Sequence, residues 1–187
     1  MPMLPPLSAD LDSPLPWEHQ PITRGWHLGV AGIIGATWLL IDQATKALAA
    51  RLLAPAGAVR QELPGPITLQ LTFNDGGANG FDAPWWFFIV VTVVVTVLVA
   101  HRLPRIRSTV EASAYTMLLA GAWGNGLDRV FRTGDPGDPR FFHGHVVDSL
   151  ASARFPTFNV ADVAITVGFL LLMVVLLRDH ESSNKHA

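Results

Sequence analysis

Apolar residues gather in four long blocks along this chain, parted by polar, glycine-rich and proline-rich connections. The first runs from about His27 to Ala49 and carries LGVAGIIGATWLLI ahead of Asp42. The second, Ala83 to Ala100, reads APWWFFIVVTVVVTVLVA and has no charge. The third lies between Glu111 and Asp128, and the fourth follows Asp162 as VAITVGFLLLMVVLL. A membrane-crossing helix needs roughly 20 mostly apolar residues. The valine-rich and leucine-rich blocks are too continuous for the one-sided stripe of a surface helix. The pattern predicts a membrane all-α fold with four transmembrane helices. A shorter rhythm adds one more element: ITLQLTF, Ile67 to Phe73, alternates with a period of two and ends at the turn signal NDGG, as a half-buried strand does. The expectation is a small extracytoplasmic β-sheet element resting at the membrane interface.

The connections give the sidedness. HRLPRIR places Arg102, Arg105 and Arg107 together with no acidic residue, and basic short loops stay on the cytoplasmic side. Both termini then lie inside, and the Ala50–Pro84 and Arg129–Phe158 connections lie outside. Residues 1–25 are proline-rich and acidic, without a basic start to an apolar core. They read as a disordered cytoplasmic tail rather than a cleavable leader. The expected organisation is that tail, a four-span domain over 26–178, and a cytoplasmic C-terminal tail over 179–187.

Composition narrows the function. Half of the 187 residues are hydrophobic and 15% are charged, against about 25% in an ordinary soluble domain. A net charge of −2 offers no basic surface for nucleic acid. No cysteine is present, which excludes a thiol nucleophile, disulfides and cysteine-held metal. His143 and His145 with Asp148 raise the question of zinc, but no HExxH or third histidine accompanies them, so no metal or other cofactor is expected. The serine-hydrolase elbow, the phosphate-cradling loop, and the DTG, DSG and GxGD signatures of aspartic proteases are also missing.

Carboxylates remain. With the sidedness above, Asp42, Asp128, Asp148 and Asp162 all fall at one membrane face. Ionisable groups at membrane depth are costly and tend to mark function. Two carboxyls in a poorly hydrated site share a proton. One then acts as base toward water while the other polarises a carbonyl, which is peptide hydrolysis without metal or covalent intermediate. The residues leave open which two of the four make the pair. A proton-coupled transport subunit could also use such groups, though nearer the middle of the membrane.

Five patches, in order along the four blocks, carry a resemblance: DQATK (Asp42 to Lys46), FNDGGANGF, GNGLDR (through Asn125 to Arg129), HGHVVD and FPTFNVAD. Together they resemble the lipoprotein signal peptidase (signal peptidase II) family, aspartyl peptidases of the bacterial inner membrane. The resemblance implies that Asp148 and Asp162 are the catalytic pair and that Asn159 and Asn125 orient it. It further implies that Asn74 helps hold substrate, that Asp128 and Arg129 form a charge pair beside the site, and that Asp42 and Lys46 form a supporting pair. The implied activity is removal of the signal peptide from a prolipoprotein just before a diacylglyceryl-modified cysteine. The partners would be that lipid-modified substrate and membrane lipids, with the enzyme a monomer, multi-pass, its active site at the extracytoplasmic face. Small residues in AGAWGNG would let the third helix approach another closely and leave room for the signal helix. The chain departs from the pattern at Gly77-Ala78-Asn79, at Ser149 after V-V-D, and in a long Arg129–His145 insert. An inactive relative that binds lipoproteins without cutting them is the alternative those departures raise.

Overall fold

Residues 24–53, 61–62, 66–76, 83–106, 108–134, 137, 141–152 and 155–184 are described by a computed structural model of the chain. The order is α1 (Arg24–Leu53), β1 (Gln61–Glu62), β2 (Ile67–Asn74), α2 (Trp85–Arg102), a 3-10 turn (Leu103–Arg105), α3 (Thr109–Phe131), β3 (Val146–Ser152), β4 (Phe155–Phe158) and α4 (Val160–Asn184). The expected tail over residues 1–25 falls almost wholly outside the described residues. At the other end α4 continues past the expected boundary at 178, to Asn184.

Among the described residues, three helices are long and apolar enough to cross a membrane: Gly25–Leu53, Trp86–Arg105 and Val160–Arg178. The helix α3 is not among them, and its place in the fold explains why. It packs against α1, α2 and α4 together, so much of its surface meets protein. Its buried positions include Ser113, Thr116, Asp128 and Arg129 beside alanines and glycines. A central helix gains from close approach and polar partners, whereas a lipid-facing helix gains from apolar bulk. The contrast is direct in α2, where Val90, Val93, Val94, Val97 and Leu98 are all exposed.

Glycines set those approaches. A Cβ at Gly121 would stand 2.5 Å from the Ala161 carbonyl oxygen of α4, and one at Gly124 would stand 2.6 Å from Asp42 Oδ2 of α1. One at Gly126 would stand 3.2 Å from Thr92 Oγ1 of α2. The small residues of AGAWGNG therefore let α3 approach its neighbours closely, as expected.

The four strands form one antiparallel sheet in the order β1-β2-β3-β4. The Ile67–Phe73 strand is present as β2, one residue longer. Its burial does not follow the simple alternation, because the register with β3 shifts between Leu69 and Thr72. Thr68 and Leu71 are buried while Ile67 and Phe73 are exposed, as expected when a bulge resets which face each residue takes. Leu71 and Val147 pack with Ala49 and Leu53, which seats the sheet on the C-terminal end of α1. The strands β3 and β4, in a segment that reads as a loop, carry Asp148 and lead directly into α4.

Candidate active site

The N-terminus of α4 organises the site. Asn159 caps it: the Asn159 side-chain oxygen accepts from the Asp162 backbone N–H at 3.1 Å, and the Asn159 backbone N–H donates to Asp162 Oδ2 at 3.1 Å. This is the reciprocal capping box, with aspartate in the position usually held by glutamate or glutamine. It fixes the Asp162 side chain against its own helix end. Asp162 Oδ1 accepts from Asn125 Nδ2 of α3 at 2.9 Å.

Asp148 comes to the same place from the sheet. It pairs with Thr72 across β2–β3, and Asn74 pairs with Val146, so Asn74 is its diagonal neighbour on one face. Asn74 Nδ2 donates to Asp148 Oδ2 at 3.0 Å, and Asn159 Nδ2 donates to Asp148 Oδ1 at 2.6 Å. Asn159 therefore holds both carboxylates at once. Asp148 is 1% exposed, and burial raises its pKa to about 6, opposed by the Asn74 and Asn159 hydrogen bonds and reinforced by the charge of Asp162. Among the described residues no ion pair reaches Asp148 or Asp162.

The other two aspartates have a different setting. Lys46, fully buried, pairs with Asp42 Oδ2 at 3.0 Å and Asp128 Oδ2 at 3.1 Å. Arg132 Nε pairs with Asp128 Oδ1 at 2.6 Å. The expected Asp128–Arg129 pair is thus replaced: cations from α1 and from one turn later on α3 neutralise Asp128. Arg129 instead donates to the Asp75 and Gly76 carbonyls and lies over the Phe88 ring, 3.7 Å from its centre. Adjacent residues on a helix diverge by about 100°, so Arg129 cannot readily follow Asp128 to one partner, whereas i,i+4 neighbours share a face. That spacing was the available signal for Arg132. Gln43, also not anticipated, donates to Asp42 Oδ2 and to the Gly124 carbonyl.

All the sequence-derived site residues, Asp42, Lys46, Asn74, Asn125, Asp128, Arg129, Asp148, Asn159 and Asp162, gather where α1, α3, the sheet and α4 meet. The departure at Gly77-Ala78-Asn79 and, within the Arg129–His145 insert, residues 135–136 and 138–140 lie outside the described residues. An open cavity of about 740 Å³ lies alongside, lined by Phe73, Asp75, Phe131, Arg132, Thr133, Gly134 and His145.

Comparison with known proteins identifies the relatives of this chain. A family profile described as signal peptidase (SPase) II matches residues 34–178. A lipoprotein signal peptidase of Parasynechococcus marenigrum is 38% identical over 164 residues, covering 83% of this chain and 91% of that protein. One from Mycobacterium avium is 35% identical over 143 residues, covering 76% and 75%. A solved bacterial membrane enzyme superposes with a TM-score of 0.68 at 25% identity, covering 82% of this chain and 91% of the other.

Proposed function

We propose, for a chain that belongs to the signal peptidase II family by its match over residues 34–178, that Asp148 and Asp162 are the reacting pair of its aspartic endopeptidase. Like the lipoprotein signal peptidases it resembles, the protein is a membrane protease that processes prolipoproteins. The observation that carries the residue assignment is the contrast in partners. Asp148 and Asp162 are held by amide donors and a shared asparagine, while Asp42 and Asp128 are tied to cations.

The pair holds one proton, and Asp148 is the carboxyl that burial keeps protonated at mildly acid pH. It donates that proton to the carbonyl oxygen of the scissile bond while Asp162 takes one from the attacking water. The tetrahedral diol forms, with Asp162 now protonated and Asp148 ionised. Asp162 then protonates the leaving nitrogen, Asp148 recovers a proton from one hydroxyl, and the C–N bond breaks. The pair ends with one proton, as it began. Asn74, Asn125 and Asn159 keep both carboxyls aimed through the cycle, a preorganisation that costs nothing at the moment of reaction.

In this reading all four long helices span the membrane, α3 among the other three. The arginines between α2 and α3 stay cytoplasmic, which puts the sheet, the α4 N-terminus and the pair at the extracytoplasmic face of a bacterial inner membrane. A diacylglyceryl anchor on the substrate cysteine would then hold the scissile bond at the depth of Asp162. The enzyme acts as a monomer, with lipid around α2 and α4 and the peptidase body running over residues 26–178.

The test is cleavage of a lipid-modified prolipoprotein by detergent-purified protein and its Asp148→Asn, Asp162→Asn and Asp128→Asn variants. Loss with either of the first two in folded protein supports the assignment. Cleavage that survives Asp148→Asn and is abolished in folded Asp128→Asn would move the pair to Asp128 and Asp162.

A further inference from the structure

Lys46 is the most deeply placed cation of the described residues, with no exposed surface. What else its two carboxylate partners hold gives it meaning. Asp42 Oδ1 accepts from the backbone N–H of Ala161 at 2.8 Å, and Ala161 immediately precedes Asp162. Asp128 Oδ2 accepts from the backbone N–H of Val147 at 3.2 Å, and Val147 immediately precedes Asp148. Each ion-paired aspartate therefore grips the peptide just before one reacting aspartate. One arm runs from α1 to α4 and the other from α3 to β3, and the Lys46 ammonium joins them at 3.0 and 3.1 Å.

A third connection runs from the same ammonium. Lys46 Nζ donates to Asn125 Oδ1 at 2.8 Å, on the side of the amide away from Asp162. Turning that amide over would set its NH₂ against the ammonium and its oxygen against the Asp162 carboxylate. Lys46 thereby dictates that Asp162 meets a donor. The Gly124 carbonyl, 3.2 Å from Nζ, completes the surroundings of the ammonium.

We propose that Lys46 is a positioning residue that sets the separation and orientation of Asp148 and Asp162 through the Asp42 and Asp128 arms and through Asn125. It touches neither the reacting carboxylates nor the substrate. The inference rests on the reading of Asp148 and Asp162 as the reacting pair. It goes beyond a stabilising ion pair, because a stabilising pair need not affect how the two reacting groups interact. Two carboxyls held close titrate at well-separated apparent values, and these draw together as the groups move apart. The spacing between the acid and base limbs of the pH–activity profile therefore reports the geometry Lys46 sets. The charged groups that face this network are Asp42 on α1, Asp128, Arg129 and Arg132 on α3, Asp148 on β3 and Asp162 on α4.

The experiment compares full-length native protein, Lys46→Met/Asp42→Asn and Gly124→Ala, each purified in detergent. Cleavage of a lipid-modified prolipoprotein is followed from acid to alkaline pH. The double variant removes one charge of each sign. In it, kcat is expected to fall at least about thirtyfold with KM within about threefold, and the two limbs to move together. Gly124→Ala keeps every charge and pushes on Asp42 Oδ2, where the added Cβ would come within 2.6 Å. It should narrow the profile less, and it answers alone if the double variant does not fold. Unchanged limb spacing in the folded variants, with activity lost only in proportion to folded protein, overturns the proposal. Asp162→Asn, run alongside, separates the premises: a cleaving Asp162→Asn would defeat the reacting-pair reading, while an inactive one with unchanged limb spacing elsewhere would defeat the role of Lys46 alone.

Discussion

Two pairs of aspartates lie side by side in this molecule, Asp42, Asp128 and Asp148 buried and Asp162 partly exposed, and they differ in what surrounds them. Asp42 and Asp128 face Lys46 and Arg132 and hold backbone N–H groups of the elements they brace. Asp148 and Asp162 face asparagine amides. A cation beside a buried carboxylate lowers the cost of its charge and ties it to a fixed partner, which suits bracing. Amides satisfy hydrogen bonds without settling the charge, so the proton can still move. The same residue type becomes scaffold or reagent according to its donors.

The largest expected break in that contrast is chemical. Asp162→Asn should lower kcat/KM by about 10³-fold or more, since general acid–base groups contribute typically 10²–10⁴-fold. It should leave the melting temperature in detergent near the native value, because the α4 cap can still form through an asparagine oxygen. A thermal melt beside the cleavage assay checks both halves.

Lys46→Met alone should reverse the pattern, with stability lost first. Removing one partner of a buried ion pair costs about 3–5 kcal/mol, here by leaving Asp42 and Asp128 turned toward each other. Adding Asp42→Asn should recover a large part of that loss in a melt, without restoring native turnover.

Asp148 should carry a pH signature of its own. The Asp148 pKa is raised from 3.8 to about 6 on folding, so between those values the folded protein binds more protons than the unfolded. Stability contributed through this group is therefore greatest below about pH 4, falls as pH rises through that window, and is level above it. The total change is on the order of 3 kcal/mol. In Asp148→Asn that slope should be absent, so the melting temperature of the native protein should fall steadily relative to that of the variant from pH 4 to 6. Parallel curves would contradict the raised value. The alkaline limb of kcat/KM in the native free enzyme should likewise fall near pH 6, reported as a property of the pair.

The smallest effect tests the donors. Asn74→Ala removes one N–H from Asp148 Oδ2, and a hydrogen bond to a charged group is worth about 1.5–3 kcal/mol. A drop in kcat/KM of about tenfold to a hundredfold is expected, with the alkaline limb moving to higher pH because the ionised form has lost a donor. Asn74→Asp should be worse, since it replaces the donor by a like charge.

The sequence showed much of this in outline. Three apolar blocks became the three helices fit to cross a membrane, and ITLQLTF became β2, because long apolar runs and strict alternation are local signals that tertiary packing seldom overrides. The motif patches contained the nine residues expected at the site, while Arg132 and the part played by Gln43 were missed. What was not legible depended on contacts between distant segments. HVVDSLAS carries no alternation to announce a strand, since β3 is buried at nearly every position and its pairing partner lies in another connection. The alternation in β2 was real as a pattern and misleading as a burial map, because the bulge is set by pairing with β3. Arg129 beside Asp128 in the chain suggested a pair, and the helix turned them apart.

By itself, then, the sequence determined a membrane protein with its carboxylates at one end of the helices and an acid–base chemistry without cysteine. Hydropathy, sidedness and the absence of other nucleophiles are properties a linear chain carries. Only the tertiary structure decided which aspartates meet cations and which meet asparagine amides. That choice turns on whether an ammonium from α1 or an amide from α3 comes within about 3 Å of a carboxylate, a distance that only packing fixes.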